Sequence, residues 1–359
     1  MQWRKSSRHV GASENDNAVV VKTTRYLRLL MVTLVVGLTV SILYEHSKSQ
    51  VQGGSGQCWQ SSISAYYYTP VQLFFVGALV AIGISLIALK GSTEFEDIFL
   101  NCAGILAPVV ALVPTPNVGQ CGSVLTDTTN RQANVSNNVT ALLFMAAVTF
   151  VVLIGLKWAK RPVTGVPGPA AHADEASARL IAGIGFVAAL VLYVAAGLLF
   201  IFGREWFNSK AHWTAAVTMF VFIFLAVVNN AVNLFLTQEN RRATQRGTGG
   251  TGEVRRAWRS VFNRYMWIAI LMVAFTAFFW FSPMFDDHRV FLIEASLIML
   301  FAVFWVIQTK ELWNHGLRPA DTEARGALQM PQEATDGVGG VSSFSRTPTD
   351  APGPRSDNS

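Results

Sequence analysis

Arg289-Val-Phe-Leu-Ile-Glu-Ala-Ser-Leu-Ile-Met-Leu-Phe-Ala-Val-Phe-Trp-Val-Ile-Gln-Thr309 decides the fold, because it carries only two charges, Arg289 at its edge and Glu294 one and a half turns in. A bilayer core about 30 Å thick is crossed by roughly 20 helical residues rising 1.5 Å each, so this block is long enough to span it. Seven further segments reach or approach that length, at 27–44, 70–89, 98–114, 140–157, 180–203, 211–236 and 265–283. Asn101, Cys102 and Pro108 make the 98–114 segment the weakest. Backbone N–H and C=O groups in lipid must be satisfied inside their own segment, which favours helices. The ten-residue alternation of a membrane β-barrel does not occur.

The composition agrees. Of 359 residues 51 % are hydrophobic and 14 % charged, and the mean hydropathy is +0.36. Three cysteines exclude a disulfide-framework module. The expected fold is all-α, a polytopic integral membrane helical bundle of about eight transmembrane helices. Residues 1–26 form a cytoplasmic N-terminal arm, 27–316 the eight-helix domain and 317–359 a disordered cytoplasmic tail rich in Pro, Gly, Ser, Thr and Asp. The arm reads as disordered to about residue 22. The first span runs into Leu43-Tyr44-Glu45 without a small-x-small cleavage site, so it reads as a retained signal-anchor.

Threading follows from Lys and Arg. With the N-terminus cytoplasmic, Lys48, Arg131, Arg204, Lys210 and Arg289 fall outside, and the other 23 of the 28 basic residues fall inside. That asymmetry requires an even number of spans and puts both termini in the cytoplasm of a cell (plasma) membrane protein. Cys58 and Cys121 then lie in outer loops and form a candidate disulfide, while Cys102 lies within a span. Asn134 and Asn138 head sequons that matter only in a eukaryote. The sixth loop holds Gly247-Thr-Gly-Gly-Thr-Gly252, a literal dinucleotide fingerprint, but no strand precedes it, so it reads as a linker. The arginines around it, Arg255, Arg256 and Arg259 among them, suit anionic lipid headgroups. The pI near 9.4 is thus a topology signature and calls for no nucleic acid.

Tyr68-Thr-Pro-Val-Gln-Leu-Phe-Phe-Val76 echoes Trp213-Thr-Ala-Ala-Val-Thr-Met-Phe-Val221, which would make two parallel four-helix halves. Three constellations carry the candidate chemistry. Ser62-Ile-Ser-Ala-Tyr-Tyr-Tyr-Thr-Pro70 opens the second span, and its tyrosines read as an aromatic belt at headgroup level. Behind them Gly77, Ala81 and Ser85 offer a small-residue face for helix packing. His212, Asp286, Asp287, His288 and Glu294 gather at the outer ends of the last helices, where Arg289 or His212 would partner Glu294. No His pair is spaced i, i+4 and no HExxH occurs, so no metal or cofactor is expected. Asn229 and Asn233 share a face of the sixth span beside Asn230, across from Glu94, Glu96 and Asp97 at the start of the third, where carboxylates suit a helix N-terminus.

The string Ser62 to Leu79, with Lys90-Gly91, Asn101-Cys-Ala-Gly104, Val110-Ala-Leu-Val-Pro114 and Ala211-His-Trp-Thr-Ala-Ala216, resembles a bacterial, actinobacterial-type family of uncharacterised multi-pass membrane proteins with an S-x-S-x-Y-Y-x-T…F-V-G signature. The likeness covers roughly residues 60–315. Family members carry Arg near the Phe-Val-Gly where this chain has Gln72. The resemblance implies the architecture and a bacterial origin, attaches no activity, and draws attention to His212, Glu294 and Glu311. The expected function is a non-enzymatic envelope or membrane-associated protein, sensing or scaffolding. The alternatives are a transporter or channel lined by Asn229, Asn233 and Glu294, and an outward-facing hydrolase or transferase at His212 and Asp286–His288.

Overall fold

The computed structural model describes residues 3–49, 58–116, 121, 130–159, 169–245 and 262–313. The Gly247–Gly252 stretch, the Arg255, Arg256 and Arg259 group and the 317–359 tail lie outside the described residues. Eight helices account for most of the described chain: α1 (Trp3–Lys48), α2 (Gln72–Ala88), α3 (Glu94–Leu112), α4 (Arg131–Ala159), α5 (Pro169–Phe202), α6 (Arg204–Gln245), α7 (Arg264–Phe281) and α8 (Arg289–Glu311). Short 3-10 turns at Ser64–Tyr68 and Pro283–His288 precede α2 and α8. No strand occurs among the described residues.

Seven of these helices are long and apolar enough to cross a membrane, and α2, at 17 residues, is the short one. The weak member is therefore the second segment, not the third. Residues 70 and 71 are taken up by the turn leaving the 3-10 segment, so α2 begins only at Gln72. Helix α3 continues through Pro108. Proline removes the donor that would bond the carbonyl four residues back, here Gly104. Gly83 of α2 packs over that carbonyl: a methyl built on Gly83 would sit 2.8 Å from the Gly104 oxygen. The close approach of α2 and α3 is thus made by Gly83 and Gly104, while Gly77 faces open space. A second difference lies at the start of the chain. Helix α1 begins at Trp3, inside the arm read as disordered.

Side-chain chemistry fixes the helix starts. Thr93 caps α3 by accepting from the Glu96 N–H at 3.1 Å, and Asn263 caps α7 by accepting from Tyr265 and Met266. Glu94, Glu96 and Asp97 then occupy the first turn of α3, where the helix dipole favours them.

Successive helices alternate in direction. Arg25 stacks its guanidinium over Trp313 just past α8, and Glu96 at the start of α3 meets Asn230 late in α6 and Gln308 late in α8. At the other end, His46 of α1 stacks on Trp59, Trp59 touches Phe291 at the start of α8, and His212 early in α6 meets Val113 at the end of α3. The main core runs between these ends through α1, α2, α3, α6, α7 and α8, with Met31, Leu86, Leu100, Val227, Tyr265 and Trp305 almost fully enclosed. Helices α4 and α5 pack at the side, where only 6 % of each apolar window is buried. Their outward Phe144, Val151, Leu180 and Val191 would be an aggregation hazard in water and suit lipid contact.

The Tyr68 and Trp213 segments differ in structure: Tyr68 closes a 3-10 turn, whereas Trp213 lies well inside continuous α6.

Candidate functional site: two buried polar clusters

The segment from Cys58 to Thr69 folds inward over the ends of α1, α3 and α8. A disulfide joins Cys58 to Cys121, with Cα atoms 5.5 Å apart, and the Gln60 amide donates to the Cys121 carbonyl at 2.7 Å. The Phe291 N–H donates to the Ser61 carbonyl at 3.0 Å. Glu294 receives this segment from below: its carboxyl accepts from the Ile63 N–H at 2.6 Å, the Ser64 N–H at 3.4 Å and the Ser64 hydroxyl at 3.3 Å. The partner expected in Arg289 or His212 is thus a backbone turn instead. A short turn leaves its first N–H groups unsatisfied, and a carboxyl held beneath them supplies the acceptor.

Tyr66, Tyr67 and Tyr68 are all buried, so the aromatic belt expected of them is not formed. Burial pushes the Tyr66 phenol up to about 12, and nearby Glu45 adds to the rise. Burial also raises Tyr68, against the pull of nearby Arg131.

Tyr68 belongs to a second construction. Helix α3 ends in an apolar setting, and four side chains from three elements bond the carbonyls of its last residue and of the three residues that follow it. Asn138 donates to the Leu112 carbonyl at 3.3 Å, His212 Nδ1 to Val113 at 2.6 Å, Arg131 to Pro114 at 2.9 Å and the Tyr68 hydroxyl to Thr115 at 2.6 Å. His212 is therefore a helix-end cap, 2 % exposed. Asp286, Asp287 and His288 are exposed, and Asp286 pairs with Arg289. The outer cluster read from the sequence thus divides into a buried cap, a buried latch at Glu294 and an exposed rim. Among the described residues no group of three or more His, Cys, Asp or Glu is placed to hold a metal. Both sequons, at Asn134 and Asn138, lie on α4 itself rather than in a loop.

The opposite end carries its own buried acid. Glu96, fully enclosed, accepts from Asn230 at 2.6 Å and Gln308 at 3.1 Å through one oxygen and from the Ser92 N–H at 2.7 Å through the other. Gln308 also donates to the Asn230 carbonyl oxygen at 3.1 Å. Asn229 donates to Thr93 at 2.6 Å, and Asn263 to the Ala231 carbonyl at 2.8 Å. Arg264 meets Glu311 at 2.8 Å, beside a Tyr265–Glu311 hydrogen bond. Asn233, paired with Asn229 on sequence spacing, is half-buried and lies outside this set. Asn230 takes the central place instead. Gln308 escaped the sequence reading, although an amide near the end of an apolar run was a usable signal. Between α2 and α3, Lys90 is bonded to Asp97, and desolvation of its ammonium is outweighed by Asp97 and Glu94, so its pKa is raised.

Glu294 and Gln308 are fourteen residues apart on one helix, roughly 21 Å at helical rise. Leu297, Leu300, Phe301, Phe304 and Trp305 fill the buried face of α8 between them. A cavity of about 70 Å³ lies under Glu294, with Val35, Leu79, Val110, Ile223 and Phe301 among its walls. Apolar helices of this kind, closed at each end by buried polar groups, fit a multi-pass membrane protein. No protein-family model, curated protein or solved structure matches the chain.

Proposed function

We propose that this chain is an eight-span protein of the cell membrane, with both termini cytoplasmic, that works without catalysis as a sensing or scaffolding component of the envelope. The observation that carries the reading is that each buried carboxyl is held by donors of the chain itself, Glu294 by the Ile63–Ser64 turn and Glu96 by Asn230, Gln308 and the Ser92 N–H, with an apolar layer roughly 21 Å deep between them. A transporter path would join Glu294 to Asn229 through polar walls, and the cavity under Glu294 has walls that are almost wholly apolar. A hydrolytic site would bring His212, Asp287 and His288 together, and His212 instead turns to the Val113 carbonyl. The eighth crossing is α2, whose 17 residues need only slight thinning of the bilayer or neighbouring turns to complete it. Membership of the actinobacterial-type family and headgroup binding by the arginines around Arg255 belong to the same proposal.

The test has two arms. A reporter fused after Ser359 should be active only in the cytoplasm, and its activity outside would overturn the threading. In vesicles holding the purified protein, Glu294→Gln should leave proton and sodium flux at the level of protein-free vesicles, as for the unsubstituted chain. Flux that depends on Glu294 would establish the transporter instead.

A further inference from the structure

A groove of about 760 Å³ runs between α6, α7 and α8, and Glu294 stands in the wall between it and the small cavity. The volume falls within the range of about 300–1,000 Å³ typical of sites for small organic ligands. Its walls are almost wholly apolar. On α6 it extends from Trp213 to Phe224, on α7 from Trp280 and Phe281 to Met272, and on α8 from Val290 to Leu297. At helical rise it is therefore roughly 15 Å deep, half of a hydrocarbon core of about 30 Å. It reaches from the Glu294 end of the bundle to the middle and stops there, the length of one leaflet. It opens sideways, since Val217, Val273 and Trp280 on its walls are all more than half exposed.

The rim carries charge of both signs. The Arg289 guanidinium sits 5.6 Å from the ring centre of Trp280, is paired with Asp286, and keeps a buried Nε–H without a protein acceptor. Asp287 is exposed next to it. One cation beside two acids favours a zwitterionic headgroup over an anionic one. The geometry points to a phospholipid site: one acyl chain of an amine-bearing zwitterionic lipid lies in the groove, its phosphate on Arg289 and its ammonium against Asp286 and Asp287. The site rests on the reading that these helices cross a membrane, but not on which side the termini face.

The test uses the full chain in mild detergent, incubated with vesicles of equal phosphatidylethanolamine and phosphatidylglycerol, and counts retained lipids by native mass spectrometry. One phosphatidylethanolamine should stay bound per chain. Ala277→Trp and Val273→Trp place a ring in the groove from exposed positions on its wall, clear of the packed core, and each should lower occupancy about tenfold or more. Arg289→Gln should lower it while leaving the groove open, and Leu153→Trp on the lipid-facing side of α4 should change nothing. Equal occupancy in the groove variants, preferential retention of phosphatidylglycerol, or a dimer that the groove variants dissolve would each overturn the site. Because the measurement is made in detergent, a reporter result against the cytoplasmic terminus would leave it standing, and loss of lipid would leave the threading standing.

Discussion

Removing the carboxyl of Glu294 should destabilise the protein far more than removing the hydroxyl that bonds it. Glu294→Ala strands the Ile63 N–H, whose bond is short at 2.6 Å, together with the Ser64 N–H, whose 3.4 Å contact is long enough to count for little. A buried donor left without a partner costs about 1–3 kcal/mol, and the short Ile63 bond lies at the upper end. The emptied volume adjoins an existing cavity, which adds to the penalty. Together these give about 3 kcal/mol. Glu294→Gln keeps a carbonyl oxygen in nearly the same place and should cost about 1 kcal/mol, and Ser64→Ala, which loses one 3.3 Å bond, no more than that. Unfolding by sodium dodecyl sulfate titrated into mild-detergent micelles, followed by far-ultraviolet circular dichroism, gives all three values. Glu294→Ala within about 1 kcal/mol of the unsubstituted protein, or Glu294→Gln as costly as Glu294→Ala, would refute the latch.

At the other end, Asn230→Ala and Gln308→Ala should each cost about 2 kcal/mol in the same titration. The double variant should cost less than the two together, because both amides serve the same Glu96 oxygen. Cys58→Ser opens a disulfide that bridges a sequence separation of 63, so the chain-entropy loss is about 4 kcal/mol, seen as a lower midpoint and as loss of the mobility difference between reduced and non-reduced gels. Tyr66 gives a pH dependence. Its folded value, about 12, lies above the ordinary 10.0, so the unfolded chain loses its proton first. Stability should hold below pH 10 and fall by about 3 kcal/mol between pH 10 and 12, a fall that Tyr66→Phe removes from alkaline unfolding curves.

Length and hydropathy made the helices legible, because a bilayer sets one dimension that every span must meet. What they left open was the exact extent of each helix. Pro108 marked α3 as weak, yet a proline inside a membrane helix is tolerated when a neighbour covers the freed carbonyl, and Gly83 does so. Nothing in the local sequence of α2 announces that contact. The three tyrosines show the same limit. Their type suited a headgroup belt, but the Cys58–Cys121 tether and the Glu294 carboxyl draw the segment inward, and both partners lie far away in sequence.

Polar residues in the spans were legible as a set and not as pairs, for a physical reason. A carboxyl in an apolar helix must find partners, which singles out Glu294 from sequence alone, whereas Glu96 read only as one of three carboxylates at the start of the third span. The partner can be any unsatisfied donor at the same depth, however, and most such donors are backbone N–H groups with no residue-type signature. Glu294 found the first turn of a 3-10 segment, and His212 found a carbonyl at the end of α3. Each then works as an extension of a helix end contributed by a different part of the chain. Helix ends collect at the two faces of a bundle of alternating helices, so the buried polar groups collect there too, and the middle is left to Leu297, Phe301 and Phe304. The same depth rule bears on Arg289. It stands at the start of α8 with its guanidinium over Trp280, whose ring lines the groove that ends at mid-bundle. The proposed lipid phosphate is the acceptor expected at that depth.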